Sequence, residues 1–152
     1  MKKILVLNGP NLNLLGTREP ATYGYETLDD VERMCRETGT QLGLEVECRQ
    51  SNHEGQLIDW LHQAGRDQAA GTLLGVVMNP GAYTHTSIAL HDAIKGASVT
   101  LIELHISNVH ARESFRHHSY ISPAARGIIV GFGVQGYPLA IEALLRVSTP
   151  KA

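Results

Sequence analysis

The sequence predicts an α/β fold in which helices cover both faces of a five-stranded parallel sheet. Short apolar runs that suit strands alternate along the 152 residues with segments whose apolar side chains recur at helical spacings of three and four. The run from Thr72 to Met78 is almost continuously apolar, which is typical of a parallel strand buried on both faces. These observations predict a doubly wound sheet in one domain over residues 1–152.

The first half of the chain contributes two predicted strands and two predicted helices. In order, they are a strand over residues 4–7, a helix over residues 28–42, a strand over residues 44–50 and a helix over residues 57–64. The first helix has an N-cap candidate in Thr27 and ends before Gly43. Apolar and polar residues alternate along the second strand, which indicates one exposed face and a place near an edge of the sheet.

The second half of the chain adds three strands and two helices. In order, they are a strand over residues 72–78, a helix over residues 88–95, strands over residues 98–106 and 127–131, and a helix over residues 137–147. Thr86 or Ser87 can cap the first of these helices, and Gly96 is predicted to end it. Residues 111–118 predict a short polar helix or an irregular loop. Five strands that alternate with helices favour the flavodoxin-like strand order 2-1-3-4-5.

Polar residues follow four of the predicted strands at their carboxyl ends. They are Asn8 and Asn11 after the first strand, Asn52 and His53 after the second, Asn79 after the third, and His105 and Ser107 at the fourth. In a parallel sheet these ends meet at one edge, and ligands of open α/β sheets bind there. The pattern therefore predicts a small-molecule site at the carboxyl edge of the sheet.

A glycine- and proline-rich segment, residues 16–25, follows the first strand. It carries Arg18 and Tyr23 between Gly16, Pro20 and Gly24, a composition that predicts a mobile lid over the site. A phenol beside a guanidinium is a possible base. Tyr25 is a second phenol on the same segment.

Histidines at the same edge are candidates for proton transfer or for hydrogen bonds to a substrate. His85 and His105 both lie close to predicted strand ends, and a structural role is the alternative interpretation for each. Glu103 and His105, two residues apart on one strand, share a face, so the carboxylate can orient the imidazole. A structural partner elsewhere is the alternative for Glu103.

Two arginines after the fourth strand are candidates for binding a carboxylate. Arg112 and Arg116 are four residues apart and would lie side by side on a helix, although a solvated polar face explains them equally well. Asp92, on the predicted third helix, has surface charge as its simplest interpretation.

Composition excludes several broad classes of function. The 13 basic and 15 acidic residues, with a pI near 6.4, give no overall attraction to nucleic acid or to an anionic membrane. The apolar run at the N-terminus is too short for a signal peptide, and no segment reaches transmembrane length, so we expect a cytoplasmic protein. Cys35 and Cys48 lack metal-site spacing, and the eight histidines lack zincin spacing, so no metal is predicted.

One motif favours a nucleotide site. Residues 131–136 match G-x-G-x-x-G between a strand and a helix. In dinucleotide-binding proteins this fingerprint follows the first strand of a βαβ unit, whereas here no further strand follows it. A tight turn, with backbone N–H groups that could meet an anion, is the competing interpretation. A flavodoxin-like flavin- or nucleotide-binding module therefore remains the alternative function.

Five blocks of sequence, in order, resemble the type II 3-dehydroquinate dehydratase family. They are LNGPNLNLLGTREPATYG, SNHEGQLIDWLH, NPGAYTHTSIALHDAI, ELHISNVHARESFRHHSYIS and GFGVQGYPLAI. The resemblance implies a single catalytic domain with a flavodoxin-like fold, a dodecamer built of trimers, and no metal or cofactor. It also implies dehydration of 3-dehydroquinate to 3-dehydroshikimate, either in the shikimate route to chorismate and aromatic amino acids or in quinate breakdown.

The resemblance assigns roles to individual residues. It makes Tyr23 the general base, Arg18 the cation that keeps Tyr23 ionised, and His105 the acid that protonates the departing hydroxyl group. Asn11 would hold a water molecule that stabilises an enolate, and Glu103 would orient His105. The implied substrate contacts are Asn79, His85, Ile106, Ser107 and Arg116, with Asp92 reaching the site of a neighbouring subunit.

The residue types suit this chemistry. An arginine about 4 Å from a phenolate stabilises the phenolate by about 4 kcal/mol at an effective dielectric constant near 20, enough to make a tyrosine a base near neutral pH. A lysine Schiff base is disfavoured, because lysines occur only at positions 2, 3, 95 and 151, and none is at a predicted strand end beyond the first loop.

Overall fold

The computed structural model describes residues 2–17 and 19–148 and has a five-stranded parallel sheet at its centre. The strands are β1 (Lys3–Asn8), β2 (Glu45–Gln50), β3 (Leu73–Asn79), β4 (Leu101–His105) and β5 (Gly127–Val130). The helices are α1 (Pro20–Tyr23), α2 (Leu28–Gln41), α3 (Glu54–Ala69), α4 (Ile88–Ala97) and α5 (Gly136–Ser148). The strand order is β2-β1-β3-β4-β5, which confirms the predicted flavodoxin-like topology.

The sheet is buried on both faces by helices. Along β1, Ile4 and Val6 point into a core shared with α2 and α5, whereas Leu5 and Leu7 point into a core shared with α3 and α4. All four side chains are at most 5% exposed, as expected for a central parallel strand. β2 lies at one edge of the sheet, as its alternating sequence predicted.

Helix ends follow local hydrogen bonding, and one prediction about them is wrong. Thr27 caps α2 in a reciprocal box with Asp30, and Ser87 caps α4 by accepting from the Leu90 backbone N–H at 2.9 Å. The helix does not end at Gly96. It continues to Ala97 and ends where Ser98 takes a left-handed conformation with φ of 53°.

β4 is shorter than the predicted strand over residues 98–106. It begins only at Leu101 because the chain must first leave the turn at Ser98, and it ends at His105. Beyond it, the N–H groups of Gly131 and Gly133 donate to the carbonyls of His105 and Ile106 at 3.1 and 3.0 Å. These two glycines, with φ of 92° and 60°, form the tight turn before α5, and their own N–H groups are therefore not available to an anion.

The segments that flank the carboxyl edge are irregular. Residues 109–111 and 114–116 form short 3₁₀ turns, so the region over residues 111–118 contains no α-helix. Between β1 and α2, the described residues form a 3₁₀ turn over residues 12–14 and the four-residue helix α1, which follows a left-handed Glu19 with φ of 40°. Within the described residues, no helix combines the length and the apolar character needed to cross a membrane.

Candidate active site

A cleft with roughly 540 Å³ of open space lies at the carboxyl edge of the sheet. It lies above the ends of β1, β3 and β4, between the segment that carries α1 and the loop that follows β4. Nine of the residues predicted from the sequence line this cleft. They are Asn11, Tyr23, Asn79, His85, His105, Ile106, Ser107, Arg112 and Arg116.

One wall of the cleft carries a buried imidazole–carboxylate pair. Nε2 of His105 lies 2.6 Å from Oε2 of Glu103, and the two residues are 6% and 1% exposed. Both are on β4, where a spacing of two residues places their side chains on the same face. Glu103 does not line the cleft itself, so it acts on the cleft only through the orientation and charge of His105.

Three hydroxyl groups surround the carboxylate of Glu103. Oε2 accepts from Thr84 Oγ1 at 2.6 Å and from Ser119 Oγ at 3.0 Å, and Oε1 accepts from Ser122 Oγ. Burial disfavours the charged form, but the hydrogen bond and charge of His105, together with the hydroxyl groups of Ser122 and Thr84, outweigh it and lower the pKa of Glu103. The carboxylate is therefore held in its ionised form.

His85 lies beside His105 with its ring stacked at a centroid distance of 6.4 Å. Its Nδ1 donates to the carbonyl of His118 at 2.8 Å. Partial burial lowers the pKa of His85, and the nearby His105 and Arg116 add to this effect, against the opposing bond to His118. The ring is therefore neutral near pH 7, with Nε2 left as an acceptor for a ligand.

The opposite wall carries Tyr23, which is half-buried at the end of α1. Arg112 Nη1 donates to the Tyr23 hydroxyl group at 2.9 Å and to Ser107 Oγ at 3.2 Å, and its guanidinium lies 5.3 Å from the centre of the Tyr23 ring. Tyr25, the rival phenol, is 80% exposed and does not line the cleft. Arg18, the cation predicted to act on Tyr23, lies outside the described residues.

A buried amide network lies at the carboxyl edge, where the sequence predicted Asn8 and Asn79 but not the Tyr137 hydroxyl group that joins them. Asn79 Nδ2 donates to the Tyr137 hydroxyl group at 3.1 Å, and this hydroxyl group donates to Asn8 Oδ1 at 2.6 Å. The Gly81 N–H donates to Asn79 Oδ1 at 3.1 Å, which fixes the amide orientation. Burial raises the pKa of Tyr137, so its proton stays available for Asn8.

Asn11 lies at the rim, where the chain leaves β1. Its backbone is left-handed, with φ of 69°, and its N–H donates to Asn52 Oδ1 at 3.0 Å. Asn52 was predicted among the polar strand-end residues, and the structure uses it to hold Asn11 rather than to line the cleft. His53, predicted at the same edge, does not line the cleft either.

Arg116 completes the polar lining from the loop after β4. Its Nε donates to Glu113 Oε2 at 2.7 Å, and it reaches the cleft from a 3₁₀ turn. Arg112 and Arg116 thus both line the cleft, although the segment that carries them is not the α-helix that their spacing of four residues allowed. Asp92 lies on α4 with an exposed side chain and does not line this cleft.

Several residues of the site have no signal in the sequence. Pro10, Leu12, Gly81, Ala82 and Val109 complete the lining of the cleft. The hydroxyl groups around Glu103 come from loop residues of ordinary composition, and only the fold brings them together. Among the described residues, no group of three or more histidine, cysteine or acidic side chains is arranged to hold a metal ion.

A phenol beside a guanidinium and an imidazole beside a buried carboxylate, on opposite walls of one cleft, are typical of enzymes that use acid–base catalysis. The fold and the cleft thus define an α/β acid–base enzyme. Residues 2–145 match the family model described as dehydroquinase class II, and the chain belongs to this family.

Relatives of known name are similar over nearly their whole length. The chain is 81% identical over 145 residues to "3-dehydroquinate dehydratase" of Variovorax paradoxus (strain S110), covering 95% of this chain and 99% of that protein. It is 71% identical over 151 residues to "3-dehydroquinate dehydratase 2" of Ralstonia nicotianae, covering 99% and 98%. The solved type II dehydroquinase from Propionibacterium acnes superimposes with a TM-score of 0.89 at 47% identity, covering 99% and 98% of the two chains. These comparisons give no support to the flavin- or nucleotide-binding alternative.

Proposed function

We propose that this chain is a 3-dehydroquinate dehydratase, which eliminates water from 3-dehydroquinate through an enolate to give 3-dehydroshikimate. Family membership and the names of the relatives support the reaction. The observation that carries the mechanism is the Tyr23 hydroxyl group, 2.9 Å from Arg112 Nη1, across one cleft from the His105–Glu103 pair. The product serves either aromatic amino acid synthesis through chorismate or quinate breakdown.

In the first step, Tyr23 acts as the general base and takes the proton next to the ketone. A phenolate does this, and the guanidinium of Arg112 stabilises its negative charge at hydrogen-bond distance. We assign the same effect to Arg18, because the family resemblance gives it this role.

The electrons of the broken C–H bond form an enolate, which needs a hydrogen-bond donor at its oxygen. A water molecule bound by Asn11, at the rim of the cleft, is the proposed donor. In the second step the enolate collapses, the C–O bond breaks, and His105 gives its proton to the departing hydroxyl group. Water leaves, and the ring carries the new double bond.

The remaining lining residues bind the substrate. Arg116 is the proposed partner of the substrate carboxylate, while Asn79, His85, Ile106 and Ser107 contact its hydroxyl groups and ring. Arg112 was predicted as a substrate contact. Its Nη1 already bonds to Tyr23 and Ser107, and this favours a role in activating the base instead.

The proposal extends to the segment over the cleft and to the assembly. We assign residues 16–25 to a lid that closes on the substrate and carries the base on α1. In a dodecamer built of trimers, the exposed carboxylate of Asp92 on α4 would reach the cleft of a neighbouring subunit. We also propose that the enzyme is cytoplasmic and works without metal or cofactor.

The test is to mix purified, chelator-treated protein with 3-dehydroquinate and to follow the ultraviolet absorbance of the conjugated enone product. A rise in absorbance that does not need added metal supports the reaction and its cofactor independence. No rise from a folded protein would refute the proposed function. Light scattering of the same sample measures the mass, and a mass far from that of twelve chains would refute the assembly.

A further inference from the structure

A cluster of three hydroxyl groups, from Thr84, Ser119 and Ser122, lies behind the imidazole–carboxylate pair. Each of the three bonds to the Glu103 carboxylate, and none of them lines the substrate cleft. We call these three residues the hydroxyl cluster. Nothing in the proposed reaction requires them as substrate contacts, so their convergence on one buried carboxylate needs a different explanation.

The hydrogen bonds of the hydroxyl cluster all run in the same direction. An ionised carboxylate only accepts, so the hydroxyl groups and His105 must all donate to it. Oε2 takes three of these bonds, from Thr84, Ser119 and His105. Among the described residues, Ser122 makes the only hydrogen bond to Oε1. A protonated Glu103 would have to reverse one of these bonds.

The donor direction at Ser119 is set by the backbone around it. Its Oγ accepts from the N–H groups of Ile121 and Ser122 at 3.0 Å each, which leaves its own hydrogen to donate to Glu103 Oε2. Thr84 Oγ1 lies 2.7 Å from Ser119 Oγ and donates to the same carboxylate oxygen. Thr84 comes from the 3₁₀ turn that also carries His85. The hydroxyl cluster therefore connects this turn and the loop over residues 119–122 to the buried end of β4.

The position of one proton depends on these donors. Nε2 of His105 and Oε2 of Glu103 are 2.6 Å apart, so the proton between them belongs to whichever partner its surroundings favour. Burial of Glu103, which is 1% exposed, favours a neutral carboxylic acid and a neutral imidazole. Hydroxyl groups that donate to the carboxylate favour the opposite arrangement, with the proton on the ring.

The proton on Nε2 decides whether His105 is a useful acid. Because Nε2 faces Glu103, Nδ1 is the ring nitrogen left to protonate the leaving group. When Nδ1 and Nε2 both carry a proton, the ring is an imidazolium and its Nδ1–H group is acidic. If the proton moves to Glu103, the ring is a neutral imidazole, whose N–H is a far weaker acid.

We propose that the hydroxyl cluster holds the general acid, His105, in position and in its protonated form. Thr84, Ser119 and Ser122 keep Glu103 ionised and fixed, and the ionised carboxylate in turn keeps the proton on Nε2 of His105. This inference rests on the proposed function for its catalytic part only. The three are positioning residues, because they act on the substrate through Glu103 and His105.

Other charged groups near the pair do not replace the hydroxyl cluster. The groups that share the space around Glu103 and His105 are His85, His110, Arg116, His117 and His118, and the β5 residues on this side, Ile128 and Val130, are apolar. In the part of the chain that the structure describes, none of the five makes a hydrogen bond or ion pair with Glu103. Only His105 and the hydroxyl groups do so.

Two substitutions remove donors from the cluster with little other change. Ser122→Ala deletes the donor to Oε1; within residues 2–17 and 19–148, the Ser122 hydroxyl group makes no other hydrogen bond. Thr84→Val deletes a donor to Oε2 at nearly constant volume. Thr84→Ser keeps the hydroxyl group. Ser114→Ala, at an exposed position of the same loop region, is the matched control.

The experiment compares steady-state kinetics and ¹⁵N histidine spectra of these variants with the wild type. We expect kcat to fall about ten- to a hundredfold in Ser122→Ala and Thr84→Val, as for loss of a hydrogen bond to a charged group, with KM unchanged. The Nε2 signal of His105 should move from the protonated towards the unprotonated position. Thr84→Ser and Ser114→Ala should keep wild-type values in both measurements.

Unchanged kcat and an unchanged Nε2 signal in Ser122→Ala would overturn the inference. If Thr84→Val does not fold, Ser122→Ala and Thr84→Ser still decide the question. A wild-type protein without dehydratase activity would refute the proposed function, whereas the Nε2 signal would still test the role of the hydroxyl cluster. The two failures are therefore distinguishable.

Discussion

The two walls of the cleft are built on different structural principles. His105 and Glu103 lie on β4, between two hydrogen-bonded neighbour strands, and are 6% and 1% exposed. Tyr23 lies half-buried on the four-residue helix α1, and its hydroxyl group accepts from Arg112. The acid is thus held by the sheet before any substrate arrives, whereas the base lies on a short segment and is contacted by Arg112 from a distant loop.

Local backbone geometry sharpens this contrast. α1 is bracketed by Glu19, with φ of 40°, and Gly24, with φ of 87°, and a left-handed non-glycine residue is destabilising by about 1–2 kcal/mol. Such a segment changes conformation more readily than a central strand. The comparison suggests that substrate binding reorganises the base wall and leaves the acid wall unchanged. The following substitutions test each wall.

Tyr23→Phe tests the base wall most directly. The substitution removes the proton acceptor at nearly constant shape, so we expect kcat to fall about a thousandfold, within the range for loss of a general base. The melting temperature should stay close to the wild-type value. Tyr25→Phe, at a position that is 80% exposed, is the control and should retain activity. Loss of activity in Tyr25→Phe alone would move the base to that residue.

Arg112→Ala tests whether the base depends on its partner. Without the guanidinium the phenolate loses the hydrogen bond from Arg112, and we expect kcat to fall about a hundredfold, as for loss of a charge-assisted interaction in a partly buried site. Arg146→Ala, which removes an exposed ion pair with Glu142, should have no effect. If KM rises while kcat is unchanged, Arg112 contacts the substrate instead of activating Tyr23.

Glu103→Gln tests the acid wall through stability and pH. Because the pKa of Glu103 lies below its usual 4.5, the unfolded chain binds the proton more readily than the folded chain. The ionised carboxylate therefore stabilises the fold above about pH 4.5, and this contribution is lost as the pH falls through the lowered pKa. Glutamine also brings an amide donor towards groups that already donate.

We therefore expect Glu103→Gln to lower the free energy of unfolding at pH 7 by about 1–3 kcal/mol, together with a lower kcat. The difference from the wild type should shrink as the pH falls below about 4.5. Urea unfolding at several pH values measures it. A difference that does not change with pH would show that folding does not lower the pKa of Glu103.

Tyr137→Phe tests the amide network under the cleft and should have the smallest effect on activity. It leaves Asn79 Nδ2 and Asn8 Oδ1 without their shared partner, so we expect a loss of about 1–3 kcal/mol in the free energy of unfolding. KM should rise a few-fold, because Asn79 loses one of its orienting bonds. An unchanged free energy of unfolding would contradict the role of this network.

The sequence alone determined the architecture and the place of the cleft. Strand and helix periodicities predicted five parallel strands in the observed order, because apolar patterning reports directly which faces are buried. The polar residues at strand ends predicted one shared site, since the carboxyl ends of parallel strands meet at one edge. The family-specific blocks then added Ile106, for which the strand and loop patterns carry no signal.

Only the tertiary structure decided which side chains far apart in the sequence become partners. Tyr23 and Arg112 are separated by 89 positions, and Asn79 and Tyr137 by 58, so no local pattern connects them. The hydroxyl cluster joins β4 to two loops, and no pattern in the sequence distinguishes its serine and threonine residues from the others in the chain. Hydrogen bonds depend on the positions of atoms to within a few tenths of an ångström, and these positions are set by how the whole chain packs.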